Sequence, residues 1–227
     1  MTWLLDNIDL VRELFVRHAW ISAVSTLIGF AVSLPIGWYA NEHPRIRGAS
    51  VALVGILYTI PSLAAFVLLP GLLGTGFLSV INVVVALSTY AAAVMVRTAS
   101  DAFGSVSPAV LDAASAAGYS RAQRVFRVEL PLAGQVLLAG LRVVSVSTVS
   151  MLSVATLVGV SNLGSLFTDG FRRDFMTEIT VGIIAIVVLA ILFDLLLNLA
   201  GRLVMPWAAA DRRPGAIRRR LMIGAAT

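Results

Sequence analysis

The run GLLGTGFL, Gly71 to Leu78, keeps the glycine spacing of a phosphate-binding loop but carries Phe77 where that loop requires lysine. All 17 basic residues are arginine, so neither such a loop nor a lysine Schiff base can be built, and the chain cannot hydrolyse ATP through such a site. Cysteine is absent, which removes disulfides, thiolate metal ligands and cysteine nucleophiles. The two histidines, His18 and His43, each stand at the edge of a separate apolar segment and make no metal cluster. No catalytic centre and no metal site are therefore expected. What stands out instead is one charged stretch in an apolar chain, LDAASAAGYSRAQRVFRVELPLAG, residues 111–134.

That stretch carries its own punctuation. Ser107 followed by Pro108 predicts a helix start, with a side-chain cap and proline at the first helical position. The helix runs through AVLDAASAA to Gly118, which suits a left-handed stop. Ser120 and Gln123 then stand at capping-box spacing and open a second short helix, RAQRVFRVEL. Pro131 is expected to limit it, because the residue before a proline avoids helical backbone. Residues 107–131 therefore read as two short helices joined at a glycine elbow. Arg121, Arg124 and Arg127 can reach water or an acidic partner, whereas Val125, Phe126 and Val128 can pack inward or into a groove. An amphipathic loop resting on a membrane surface and a protein-docking element fit this pattern equally.

The elements that position the elbow are membrane helices. Hydrophobic residues make up 59% of the 227, only 13% are charged, and mean hydropathy is +0.93, far from a soluble composition. A span needs roughly 20 mostly apolar residues. Five candidates follow, at about 19–40, 50–69, 77–97, 135–158 and 179–203, with the charge-free run 48–96 divided at PGLLGTG (Pro70 to Gly76). The expected fold is all-α and polytopic, with no soluble domain left over.

Five spans put the termini on opposite sides. Arg12, Arg17, Arg172 and Arg173 fall on one side. Arg45, Arg47, Arg121, Arg124, Arg127, Arg202, Arg212, Arg213, Arg218, Arg219 and Arg220 fall on the other, with Arg97 and Arg142 at span edges. The excess of arginine places the elbow and the C-terminus in the cytoplasm and the N-terminus outside. It also accounts for the net charge of +5 without a nucleic-acid partner. No removable signal peptide is read at the N-terminus. Residues 1–18 place Leu4, Ile8, Val11 and Phe15 at helical spacing and read as an interfacial helix on the outer leaflet, or as a docking surface. Residues 206–227 read as a basic cytoplasmic tail near anionic lipid.

DAASAAG, eleven residues, then LP resembles the EAA motif of the membrane-spanning subunits of bacterial ATP-binding cassette importers. Asp112, Ala113, Ala114, Gly118, Leu130 and Pro131 align with it, and Asp112 replaces the motif's glutamate with a carboxylate one methylene shorter. In that family the helical pair is the coupling helix, received by a cleft on a cytoplasmic ATPase. The resemblance implies that Ser120, Arg121, Arg124, Val125 and Phe126 belong to the coupling surface, and that ATP and magnesium are bound by a partner ATPase, with no cofactor in this chain. YTIPSLAAFVLLPGLLGTG, SPAVLDAASAAGYSRAQRVFRVELPLA and ATLVGVSNLGSLF further resemble the osmoprotectant permeases, over about residues 18–205. Their substrates are glycine betaine, choline, carnitine and proline betaine. Methionine-type permeases share the five-span plan of type I importers. The implied assembly has two ATPase copies, a second permease identical or homologous to this one, and an extracytoplasmic binding protein in a bacterial cytoplasmic membrane.

A path for a small zwitterionic or cationic solute would need polar groups inside the spans. Asp194, Asn198 and Arg202 recur at steps of four, either as a helix-end network with Asp194 turned towards Arg202, or as a gate. Ser145, Ser147, Thr148, Ser150, Ser153 and Thr156 either serve close helix packing or line the path. The resemblance singles out the region around Pro61, with Thr59, Ser62, Ser147, Ser150 and Ser153, as path residues; Asn162 and Asp194 are further path candidates, and Pro61 is expected to distort its helix and free carbonyls. Trp3, Trp20, Trp38 and Trp207 stand at span edges and read as an interfacial belt, not as a cation cage. The competing readings are a permease for methionine or another small solute, a channel or secondary transporter needing no ATPase, and an assembly protein.

Overall fold

The computed structural model describes residues 2–207, and the basic tail expected beyond them, with Arg212, Arg213, Arg218, Arg219 and Arg220, lies outside the described residues. The order is α1 (Thr2–Asp6), α2 (Ile8–Glu42), α3 (Pro44–Thr59), α4 (Ser62–Leu73), α5 (Val80–Gly104), α6 (Pro108–Ala116), α7 (Arg121–Arg124), a π-helical turn (Val125–Glu129), α8 (Leu130–Leu152), a 3-10 turn (Ser153–Val158), α9 (Ser165–Arg172) and α10 (Met176–Val204). Among the described residues there is no strand. Four helical stretches are long and apolar enough to cross a membrane, and α3 with α4 supplies a fifth if they form one bent span.

Several boundaries move. The separate helix expected over residues 1–18 is absent, because α2 is unbroken from Ile8 to Glu42 and only Thr2–Asp6 stands apart. At a rise of roughly 1.5 Å per residue such a helix is longer than a hydrocarbon core is thick. The charge-free run divides within Pro70 to Gly76, as expected, but at Gly74 and not at the proline: Pro70 lies within α4, which continues to a left-handed cap at Gly74. The following turn is tied by Asn82, whose Nδ2 donates to the Gly76 carbonyl at 2.9 Å and whose Oδ1 accepts from the Thr75 hydroxyl. The glycine-spaced run is thus a helix end and its turn. As expected, Pro61 breaks its span, and the axes of Arg45–Thr59 and Ser62–Leu73 meet at 98°. Ile60, in front of the proline, is extended at ψ 123, and its freed carbonyl accepts from the Tyr90 hydroxyl at 2.5 Å.

The bundle is organised around α5, which packs along α2 on one side and α8 on the other. Small residues on α2, Ser22, Ser25, Thr26, Gly29, Ser33 and Gly37, are buried, and the two glycines bring its backbone close to Ala91 and Ala99 of α5. The hydroxyls of Ser22, Ser25, Thr26, Ser88 and Ser100 are buried with no hydrogen-bond partner, so this seam uses their small volume and not their polarity. Met95, Phe103, Leu137 and Leu141 fill the space between α5 and α8. By contrast α10 is apolar around most of its circumference, with Ile183, Ile184, Val187, Ile191, Leu195 and Leu199 exposed.

A Cβ at Gly29 would stand 2.5 Å from the Ala91 Cβ and 2.9 Å from the Ala92 backbone nitrogen, whereas one at Gly48 would meet nothing within 4 Å. Gly29→Leu is therefore expected to force α2 off α5 and cost about 1–3 kcal/mol or more. Gly48→Leu should leave the fold unchanged. Thermal unfolding in detergent, followed by size-exclusion chromatography, checks the contrast.

Candidate functional site

The elbow forms as two separately capped helices. Pro108 begins α6, but the Ser107 hydroxyl makes no capping bond; the cap expected there is not formed, and the preset φ of proline starts the helix alone. At the far end Tyr119 N–H donates to the Ala114 carbonyl at 3.1 Å and Gly118 N–H to Ser115 at 3.0 Å. Gly118 has φ +82, completing a Schellman stop. The capping box at Ser120 and Gln123 is formed in both directions, at 3.3 and 2.9 Å.

The second helix does not end at Pro131. It passes through a π turn over Val125–Glu129 directly into α8, with Leu130 N–H donating to the Val125 carbonyl. The widened turn explains why proline is tolerated: its ring would strike a carbonyl one turn back in a regular helix, and the π turn moves those carbonyls aside. The elbow is thus rigidly continuous with the fourth span.

That same turn brings Arg124 and Glu129 together. In a regular helix residues five apart point about 140° apart, yet here Arg124 Nε lies 2.8 Å from Glu129 Oε1. Glu129 is buried, and its second oxygen accepts from Trp38 Nε1 at 3.0 Å. Arg124 also lies 3.7 Å from Glu42, Arg121 pairs with Glu42, and the Arg121 guanidinium sits 5.1 Å over the Trp38 ring. Trp38 and Glu42 both belong to the last turns of α2. The second arm of the elbow is therefore clamped to the first span by two carboxylates, two guanidiniums and an indole. Nearby, Arg47 of α3 holds Asp101 of α5 at 2.5 Å.

The groups left over define an outward surface. Asp112, Ala113, Gly118, Ser120, Arg127 and Phe126 are exposed, Phe126 at 70%. Among the described residues Asp112 and Arg127 have no ion pair. Ala114, Val125, Leu130 and Pro131 are half-buried. Arg121 and Arg124, expected to be free for an acidic partner, are engaged within the chain, whereas Arg127 is not. Glu129, Glu42 and Trp38 were not expected at this site. A carboxylate between Val128 and Leu130 was the available signal, since an unpaired one there would be costly.

Six of the eight candidate path residues fall into two sets. Thr59 and Pro61 are exposed and Ser62 half-buried at the 98° bend; Ser150 is exposed, with Ser147 and Ser153 half-buried, along α8 and its 3-10 extension. The hydroxyls of Thr59, Ser147 and Ser153 donate to their own helices, to Ile56, Val143 and Ser150 at 2.6, 3.0 and 2.7 Å. Phe66 of α4 packs with Leu152 and Ala155, so the bent segment and the hydroxyl-bearing end of α8 are neighbours.

Asn162 belongs to neither set. It is fully buried, its Nδ2 donates to Val160 O at 2.9 Å, and its Oδ1 accepts from Gly164 N at 2.7 Å. It shapes the turn after the 3-10 segment. His18 pins the same turn, accepting from Leu163 N at Nδ1 while Nε2 donates to the Val149 carbonyl at 2.9 Å. Asp194 does not turn towards Arg202. It forms a two-point ion pair with Arg142, at 2.6 and 2.7 Å. Arg142, expected at a span edge, lies well inside α8.

The profile described as "Binding-protein-dependent transport system inner membrane component" matches residues 18–209. The chain is 30% identical to the carnitine transport permease protein OpuCD of Listeria monocytogenes, over 88% of this chain and 89% of that one. It is 30% identical to the choline transport system permease protein OpuBD of Bacillus subtilis, over 95% and 94%. It is 28% identical to the osmoprotectant import permease protein OsmW of Salmonella typhimurium, over 86% and 92%. Its fold is similar to that of a chain in the inward-facing MetNI methionine ABC transporter, with TM-score 0.72 and 22% identity over 88% of this chain and 96% of that one.

Proposed function

The chain belongs to the family of binding-protein-dependent transport system inner membrane components, and from that premise we propose that it is the permease of an ATP-driven importer of osmoprotectants. The solutes are small quaternary ammonium compounds of the kind named for its relatives, glycine betaine, choline and carnitine. A partner ATPase binds ATP and magnesium, a second permease completes the passage, and an extracytoplasmic binding protein delivers the solute. The N-terminus lies outside and the elbow in the cytoplasm, as the arginine distribution favours.

The observation that carries this reading is the outward surface of the elbow. Asp112, Phe126 and Arg127 are exposed on an element whose other charges are consumed by a clamp to α2 and whose backbone runs unbroken into α8. A force applied there reaches two spans at once. An ATPase that closes on nucleotide would displace residues 107–131, and α2 and α8 would follow, shifting the bundle between outward and inward access. Thr59, Pro61, Ser62, Ser147, Ser150 and Ser153 line the way for the solute; the hydroxyls of Thr59, Ser147 and Ser153, already bonded to their own helices, present polar atoms without demanding a tight ligand.

The reading is tested by labelled glycine betaine, choline, carnitine and methionine in vesicles holding this chain with its ATPase and binding protein. ATP-dependent accumulation of a quaternary ammonium solute is expected, and none without ATP. Accumulation of methionine alone would favour the amino-acid alternative, and flux through the chain without an ATPase would favour a channel.

A further inference from the structure

Among the described residues, Arg142 with Asp194 is the ion pair that lies far from a helix end. Arg142 is ten residues from the end of α8 at Leu152, and Asp194 ten from the end of α10 at Val204, which places both about 15 Å inside their helices. The two-point geometry is close to ideal at 2.6 and 2.7 Å, yet the side chains remain 38% and 36% exposed. An ion pair half open at that depth is costly against hydrocarbon, and such groups normally face a watery cavity or a partner. Exposed Gln135 lies about 20° from Arg142 around α8, and Asn198 about 40° from Asp194 around α10.

We infer that Arg142 and Asp194 form a solute subsite that takes a zwitterion by exchange of partners. The solute's carboxylate replaces that of Asp194 on the Arg142 fork, and its cationic end replaces the guanidinium against Asp194. One ion pair becomes two, and no charge is left unpaired during the exchange, so the desolvation penalty that an isolated charge would meet does not arise. The planar fork of arginine suits a carboxylate at two points. A cation without a carboxylate must instead compete with Arg142 for Asp194 and leaves the guanidinium unpaired. The subsite therefore favours solutes carrying both charges over simple cations. This inference rests on the permease reading and names the residue that reads the solute's carboxylate.

The test compares maximal ATP-driven uptake of glycine betaine, a zwitterion, and choline, a cation, with the binding protein saturated by each so that its own preference drops out. In Arg142→Gln the ratio of choline to glycine betaine uptake is expected to rise about tenfold or more, because Asp194 is released to the cation and the carboxylate loses its fork. In the double variant Arg142→Leu with Asp194→Leu, glycine betaine uptake is expected to be lost while recovery of the folded complex is kept. A purely structural ion pair predicts the reverse, since apolar replacement of both partners is commonly neutral or stabilising. Wild-type uptake in the double variant, or an unchanged ratio in Arg142→Gln, overturns the subsite. A wild-type complex that accumulates neither solute contradicts the permease reading itself, and the subsite with it.

Discussion

Replacing Gly118 with valine is expected to abolish ATP-driven uptake while the chain still inserts and assembles. Gly118 holds φ +82, and a side chain there would meet nothing within 4 Å, so the penalty is backbone strain and not a clash. For a residue with a Cβ that strain is roughly 1–2 kcal/mol, and more for a β-branched one. It is relieved locally, because α6 and α7 bury no residue. The elbow reopens, the Schellman bonds to Ala114 and Ser115 are lost, and Asp112 and Phe126 no longer present one surface. Uptake should fall about tenfold or more, with ATP hydrolysis persisting in the absence of transport. Gly118→Asn, which tolerates left-handed backbone, should retain more uptake than Gly118→Val. Parallel measurements of uptake and phosphate release per complex decide it.

Glu129→Ala is expected to have the second large effect, from the opposite side of the elbow. The substitution leaves Trp38 Nε1 without its acceptor and Arg124 with Glu42 at 3.7 Å and the Ser115 hydroxyl at 3.5 Å. Breaking a buried charged pair costs about 3–5 kcal/mol, and the remaining Glu42 contact places this case at the low end, about 3 kcal/mol. The elbow then stays continuous with α8 but is released from α2, so movement of the coupling segment reaches one span and not two. Stimulation of ATP hydrolysis by solute-loaded binding protein should be lost while basal hydrolysis remains. Trp38→Phe, which removes only the indole N–H, should show the same change at smaller amplitude. A Glu129→Ala complex that still responds to the loaded binding protein would show that the clamp only supports the fold.

Much of this was legible in the sequence, and the misses share a cause. Of the five expected spans, four are long apolar helices and the other is the bent pair α3 and α4. The break at Pro61, the Gly118 stop and the Ser120–Gln123 box are local signals, set by residues within a turn of one another, and each is found where it was read. The elbow's attachment is not local. Glu129 reaches Trp38 across ninety-one residues, and it reaches Arg124 only through a π turn that regular helical periodicity cannot anticipate. Pro131 read as a stop for the same reason, since the rule against helix before proline assumes a regular turn. Asp194 reads on its own helix either as turned towards Arg202 or as a gate, because a single helix offers only its own neighbours, whereas its partner Arg142 stands on another span. The Asn162 amide closes a turn through Val160 and Gly164.

The central claim is that Asp112 to Pro131 is where an ATPase connects, and the chain offers a clean way to test it. Because it contains no cysteine, a single cysteine introduced at exposed Phe126 can carry a photo-reactive cross-linker without competing sites. In the assembled complex, irradiation is expected to join Phe126→Cys to the ATPase subunit, with a yield that changes on adding ATP, while a cysteine at exposed Trp20 yields no such product. A transport-competent Phe126→Cys complex that gives no cross-link to the ATPase, with or without ATP, would contradict the account.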